Sequence, residues 1–338
     1  MMIETGHNDK RIRKIYYLFF KGESLMKKLF IIGNGFDSAH KLHTSYEDFH
    51  QYLKATYPGA NEEDELLPGV SPDPDGGVSC NDIEAVGFIM RLITQAEPNS
   101  EKWSALEESL GKLDFSEVFD WLPEQTDSEG DVDMWATSYQ NEDVASNLSV
   151  VIEKLSDYFT DWINTLNLSK VQQIAAFGDL IESEDVFLNF NYTETLEVVY
   201  QVKAEKVCHI HGKRGEKLIL GHGADEGEDV YNRNMQIYTG AENTLSEIHY
   251  MLKKDTDKAI LQHKDFFDSL DPEIERIYSH GFSFGKVDLP YIEKICECLP
   301  TENITWYLND YDIDKHESYQ QILKDAGFEG RFSTFSIR

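Results

Sequence analysis

Four consecutive apolar residues, Leu29-Phe30-Ile31-Ile32, run straight into Gly33-Asn34-Gly35. A strand without polar alternation is covered on both faces, which is the situation of a strand inside a parallel sheet sandwiched by helices. The two glycines permit a tight turn and a close backbone approach. Behind them, residues 45–55 carry helical apolar spacing. Strand, glycine turn and helix in that order open the first unit of a doubly wound α/β sheet. Ser38 stands where the Gly-x-Gly-x-x-Gly pattern has its third glycine, so a plain tight turn explains this segment as well as a phosphate cradle does.

The alternation returns from residue 185. Apolar runs at 186–188, 207–210, 218–220, 274–279, 304–308 and 332–337 read as strands, and 193–202, 244–253, 258–269, 289–298 and 316–325 read as helices. Alternating elements of this kind give a Rossmann-like α/β class, a mainly parallel sheet flanked by helices. Residues 58–147 interrupt it. Their 67–79 stretch is rich in Pro, Gly, Asp and Ser, 82–95 and 103–110 have helical spacing, and 126–133 is a polar acidic loop. The expected division is an α/β domain from 26–57 and 148–338 with an acidic helical insertion at 58–147. The strands on either side of the insertion are then neighbours in one sheet. The clearest helix is 148–166, where Val151, Leu155, Tyr158, Phe159, Trp162, Ile163 and Leu166 share one stripe. Met26-Lys27-Lys28-Leu29 reads as a natural start. Residues 1–25, which lack a secretory cleavage site, then read as an untranslated leader or a disordered extension.

Composition narrows the partners. Of 338 residues 62 are acidic and 31 basic, a formal net charge of -31. Such a surface repels nucleic-acid phosphates, which argues against bulk nucleic-acid binding. No run approaches the roughly 20 apolar residues of a membrane helix, so no membrane partner is expected. Four scattered cysteines suit reduced thiols and a cytoplasmic location. The oligomeric state is left open.

Four polar turns, three of them containing glycine, follow predicted strands. The first is Gly33-Asn34-Gly35-Phe36-Asp37. The second is Asn189-Phe190-Asn191-Tyr192-Thr193, where Asn191 and Thr193 either cap the next helix or meet a ligand; an amide both donates and accepts, which suits a ribose or a carboxamide. The third is Cys208-His209-Ile210-His211-Gly212 with Gly221-His222-Gly223. Alternation on a strand puts His209 and His211 on one face, and with His222 they are one possible metal set, although no carboxylate completes a familiar pattern. The fourth is Ser279-His280-Gly281-Phe282-Ser283 with Asp288, an ordinary helix cap before Pro290. Together the four turns converge on one sheet edge, where a cofactor cleft belongs.

These motifs, with Thr44-Ser45-Tyr46-Glu47-Asp48-Phe49, Trp103, Leu106-Glu107 and Leu220 to Gly223, resemble the bacteriophage abortive-infection AbiH family, over nearly the whole chain from Met26. That family in turn resembles sirtuin-like NAD-binding domains. The resemblance implies an antiphage effector, responding to a phage trigger, that binds and hydrolyses NAD or a related adenine nucleotide. It implies that Gly33, Asn34, Gly35 and Asp37 hold the cofactor phosphates, that Tyr192, Thr193, His222, Gly281, Ser283 and Asp288 contribute to the cofactor site, and that His211 and Asn191 are catalytic, with no metal. Thr193 stands where the sirtuin-like motif has an aspartate, and no zinc-ribbon cysteines are present. A non-catalytic nucleotide-binding sensor or interaction protein, and a metal-dependent hydrolase using His209, His211 and His222, are the alternatives.

Overall fold

A computed structural model describes residues 27–62, 67–74, 76–97, 103–223 and 238–337. The expected leader, residues 1–25, lies outside them. The strands are β1 (Lys28–Ile32), β2 (Val70–Pro72), β3 (Val78–Cys80), β4 (Val186–Asn189), β5 (Val207–His209), β6 (Arg276–His280), β7 (Thr305–Asn309) and β8 (Arg331–Phe335). Six of them form one sheet in the order β5-β4-β1-β6-β7-β8, every neighbouring pair parallel. Ranked by sequence, that is third, second, first, fourth, fifth, sixth: the doubly wound Rossmann order, which changes direction between β1 and β6. The chain is therefore the Rossmann-like α/β protein its strand–helix alternation implies. β1 and β4, which flank the helical interruption, pair directly, Leu29 opposite Val186.

The residues explain the sheet's centre. β1 is buried throughout. On one face Phe187, Phe30, Tyr278 and Tyr307 stack from strand to strand at centroid distances of 5.0, 5.1 and 4.5 Å, each aromatic opposite the next in register. Phe36, Phe177 and Leu196 cover that face. On the other face Leu29, Ile31, Ile277 and Trp306 pack under the helices Leu289–Cys298 and His316–Asp325.

A helical body sits over the carboxyl end of the sheet. Its core joins Phe49 and Leu53 of the helix Tyr46–Thr56 to the helices Asp82–Ala96, Leu106–Leu110, Met134–Thr165 and Glu242–Met251. Ser45 starts the first of these with a capping box, its hydroxyl accepting from the Asp48 amide while the Asp48 carboxylate accepts from the Ser45 amide. The long helix begins fourteen residues before the stripe that announces it, 148 against 134. Asp133 caps it by accepting from the Trp135 and Ala136 amides, and its first turns expose Trp135 and Tyr139, so no apolar periodicity marks them. The expected strand at 218–220 does not form, and the loop expected at 67–79 contains the short β2–β3 hairpin. The helix expected at 258–269 is two, Thr256–Gln262 and Lys264–Asp268. Among the described residues no helix is long and apolar enough to cross a membrane.

Candidate active site

The turns that follow β1, β4, β5 and β6 surround one cavity of about 310 Å³ between the sheet edge and the helical body. Gly33, Asn34, Gly35, Asp37, Asn191, Tyr192, Thr193, His211, Gly281, Ser283 and Asp288 all line it. The helical body supplies Tyr46, Glu107, Phe159 and Trp162 to the opposite wall. The position, at the carboxyl ends of the strands where their order reverses, is the ligand crevice of a doubly wound sheet.

The glycines owe their identity to each other. A Cβ on Gly33 would stand 2.4 Å from the Gly281 carbonyl oxygen, and one on Gly35 2.6 Å from the Gly281 Cα. Gly281 has φ +65, and its own Cβ would meet the Phe36 amide nitrogen at 2.3 Å. Two strand-end turns thus touch backbone to backbone. The amides of Gly33 and Gly35 donate to the His280 and Gly281 carbonyls, each at 3.0 Å, so these two are engaged within the protein. Phe284 holds φ +55, a conformation that costs a side-chain-bearing residue energy, and its buried ring packs against Phe282 and Tyr319. One consequence is measurable. Gly35→Ala forces the β1 and β6 turns apart and lowers stability by about 1–3 kcal/mol, the usual effect of overpacking. Denaturant melts of the variant check this; an unchanged midpoint refutes the close contact.

Asp37 is fully buried, and Thr193 and Thr195 donate their hydroxyls to its two carboxylate oxygens at 2.6 and 2.8 Å. Burial raises the Asp37 carboxyl to about 6, against the pull of those two hydroxyls. Thr193, in the place of the sirtuin-like aspartate, is therefore a partner of Asp37 and ties the β4 turn to the β1 turn. Asn191 does the same from the other side: its side-chain Nδ2 donates to the Gly33 carbonyl at 3.1 Å, and its amide donates to Asn189 Oδ1.

His211 lies at the centre of the cavity wall. It is 3% exposed and packs among Phe190, Tyr192 and Tyr291. Its Nε2 has no hydrogen-bond partner and faces Asp288 Oδ1 at 3.6 Å. Its other nitrogen serves the Phe190 carbonyl, which leaves the Nε2 lone pair pointing at a carboxylate. Burial first, and the Lys254 ammonium second, hold the imidazole well below its usual range and so neutral. Behind Asp288 sits Lys254, 2% exposed, donating to Asp288 Oδ1 at 3.2 Å and to Glu107 Oε1 at 2.5 Å. Burial disfavours the ammonium, but the two carboxylates outweigh it and raise its pKa. Burial also raises Asp288, to about 6, with Lys254 opposing and Glu107 adding to the shift.

With this geometry in view, the comparison that decides kinship is a family model, that of the bacteriophage abortive infection protein AbiH, which matches residues 29–310. The chain belongs to the AbiH family. The match spans most of the chain, includes every turn of the cavity, and assigns this AbiH protein a part in bacteriophage abortive infection. No curated protein and no solved structure matches the chain.

In this AbiH protein His222 falls outside the cavity. It is fully buried, with its Nε2 at 3.2 Å from the His249 carbonyl and its ring against the His249 ring. His209 points elsewhere again, with Nε2 on Glu197 Oε1 at 2.8 Å. The common face expected of His209 and His211 is lost because β5 ends at His209, so His211 lies in the following turn. The three histidines do not converge, and among the described residues no group of three or more His, Cys, Asp and Glu is arranged to hold a metal ion. Lys254 and Glu107 are the parts of the cavity that sequence reasoning missed. Lys254 lies just past the helix Glu242–Met251 and carries no signal. Glu107 stood in the Leu106-Glu107 motif of the family resemblance without a role.

Proposed function

We propose that this AbiH protein acts in abortive infection by hydrolysing NAD, with the nicotinamide ribose in the 310 Å³ cavity and His211 as the general base. The observation that carries the reading is the orphaned Nε2 of His211. A lone pair and a carboxylate 3.6 Å apart, both on a cavity wall, lack only a shared donor, and a water, with two protons to give, fills that role. In the reaction the bond between ribose C1′ and the nicotinamide nitrogen breaks, its electron pair neutralising the pyridinium. The water oxygen bonds to C1′, and its proton passes to His211 Nε2, where ionised Asp288 stabilises the imidazolium.

The walls support this ligand. Tyr46, Phe159, Trp162 and Tyr192 give aromatic surface for a planar ring. Glu107 and Asp288 outnumber Lys254, which leaves a negative surplus that suits a pyridinium cation. Calorimetry with NAD, ADP-ribose and ATP tests the binding step, and no binding of any at millimolar concentration refutes it.

The pH profile follows from the two shifts. His211 is held neutral, with its Nε2 lone pair available, throughout the neutral range. Asp288 is ionised only above about 6. The rate is flat above neutrality and falls about tenfold per unit as pH drops below about 6. In Asp288→Asn the rate is lower overall and this acid limb disappears. A limb that persists unchanged in the folded variant assigns it to another group.

A further inference from the structure

The helical body carries a group of exposed apolar side chains far from the cavity. Trp121, Met134, Trp135 and Tyr139 are 70, 65, 77 and 63% exposed, and Val132 is half exposed. Trp135 and the cavity residue Phe159 lie on the same long helix, 24 residues or about 36 Å apart along its axis. The five side chains come from one stretch, 121–139, whose loop has a fixed form. The Asp127 amide donates to the Asp131 carbonyl and the Asp133 amide to the Gln125 carbonyl, each at 2.8 Å. Gln125 Nε2 donates to Gln140 Oε1 at 2.9 Å, which fastens the loop to the first turns of the helix. There Trp135 and Tyr139 stand four residues apart, on one face. Single exposed apolar residues are ordinary on a surface, but Trp, Tyr and Met gathered together are the composition of an interface core.

The charge around this face has one sign. From 113 to 153 the chain has eleven Asp and Glu and no Lys, Arg or His. The Trp135–Tyr139 face continues to Glu142 and Asp143, both exposed. Such a surface repels nucleic acid and an anionic membrane. A second copy seated about a twofold axis would bring the same acids face to face. The chain's own 224–237 stretch, with four acids against one arginine, has the wrong sign as well. A polypeptide of opposite charge fits. We infer that this face docks a basic segment of a protein partner. Apolar side chains of that segment seat on Trp121, Trp135 and Tyr139, its arginines lie over the indole rings, and its lysines meet the acidic rim. The inference does not depend on the NAD reading, because the face lies outside the cavity.

Photocrosslinking in cells and binding with purified protein test it. The full chain with benzoylphenylalanine in place of Tyr139 is irradiated in growing and in phage-infected cells. The expected product joins it to a protein whose contact segment, read by mass spectrometry, is basic. A synthetic peptide of that segment then binds the purified parent protein, more weakly as salt rises. Trp135→Ser combined with Tyr139→Ser weakens the peptide by about tenfold or more, the effect of truncating aromatic anchors, in a variant whose thermal melt matches the parent. Glu124→Gln combined with Glu142→Gln leaves the anchors in place and reduces the salt dependence. Crosslinks that join two copies, that fall within the same chain, or that reach an acidic or uncharged segment overturn the proposal, as does no crosslink in either culture. Peptide binding that is equal in the Trp135→Ser, Tyr139→Ser variant overturns it too, since charge alone then explains the attraction.

Discussion

His211→Gln abolishes NAD loss in infected cells and phage protection together, by a factor on the order of 100 to 10,000 in rate, the usual range for a general base. Glutamine is the informative replacement. His211 is enclosed by Phe190, Tyr192 and Tyr291, so alanine would leave a hole in a packed wall and lower stability for reasons unrelated to proton transfer. Glutamine fills most of the space and can still donate to the Phe190 carbonyl, but it takes up no proton. Purified protein with NAD, scored for nicotinamide release, gives the chemical step, and plaque counts give protection. Protection that survives in a folded variant ends the catalytic assignment. Protection lost in the variant while nucleotide levels stay constant even with the parent protein transfers the function to a binding protein that senses its ligand.

Lys254→Met removes the one cation of a buried cluster and leaves Glu107 and Asp288 facing each other without it. Breaking such a pair costs up to about 3–5 kcal/mol, because the two carboxylates, each less than a fifth exposed, lose their partner on the cavity wall. Denaturant unfolding measures the loss. A second measurement isolates the cause: Lys254→Met combined with Glu107→Gln regains part of the stability, since one stranded charge is gone. Equal losses in single and double variants would mean that the methylene packing of Lys254, and not its charge, holds the helical body to the sheet. The single variant also shifts the acid limb of the pH profile upward, because Lys254 is the group that pulls the Asp288 carboxyl down.

The two effects are linked through Asp288. Glu107 belongs to the helical body, Asp288 follows β6, and Lys254 binds both. The same cation that fastens the two layers keeps an ionised carboxylate beside His211. Stability and the proposed chemistry therefore share a residue, and only the rate measured in folded protein separates them.

Much of the architecture was legible in local sequence. β1, β4, β6 and β7 are short apolar runs whose burial needs no distant information, and alternation with helices is enough for a parallel sheet. The grouping of the turns at Gly33, Asn191, His211 and Gly281 was legible for a related reason: in a parallel sheet every strand ends on the same side, so turns that follow strands gather there whatever the detail. Local pattern failed where polarity hid an element or where a partner lay far along the chain. Residues 134–147 show no apolar stripe; the Asp133 cap starts their helix, and Asn141 ties it to the Thr239 carbonyl, 98 residues away. Thr193 reads as a lost catalytic carboxylate until its hydroxyl is seen on Asp37, 156 residues away. Gly35 reads as room for a phosphate until Gly281 is seen against it. Lys254 carries no signal in the sequence; Glu107, 147 residues away, and Asp288 give it its place. Sequence periodicity reports which face of an element meets the core. Which charged and polar groups meet each other is decided only when the layers close, because the energy of a buried charge depends on what lies within a few ångströms and not on its neighbours in the chain.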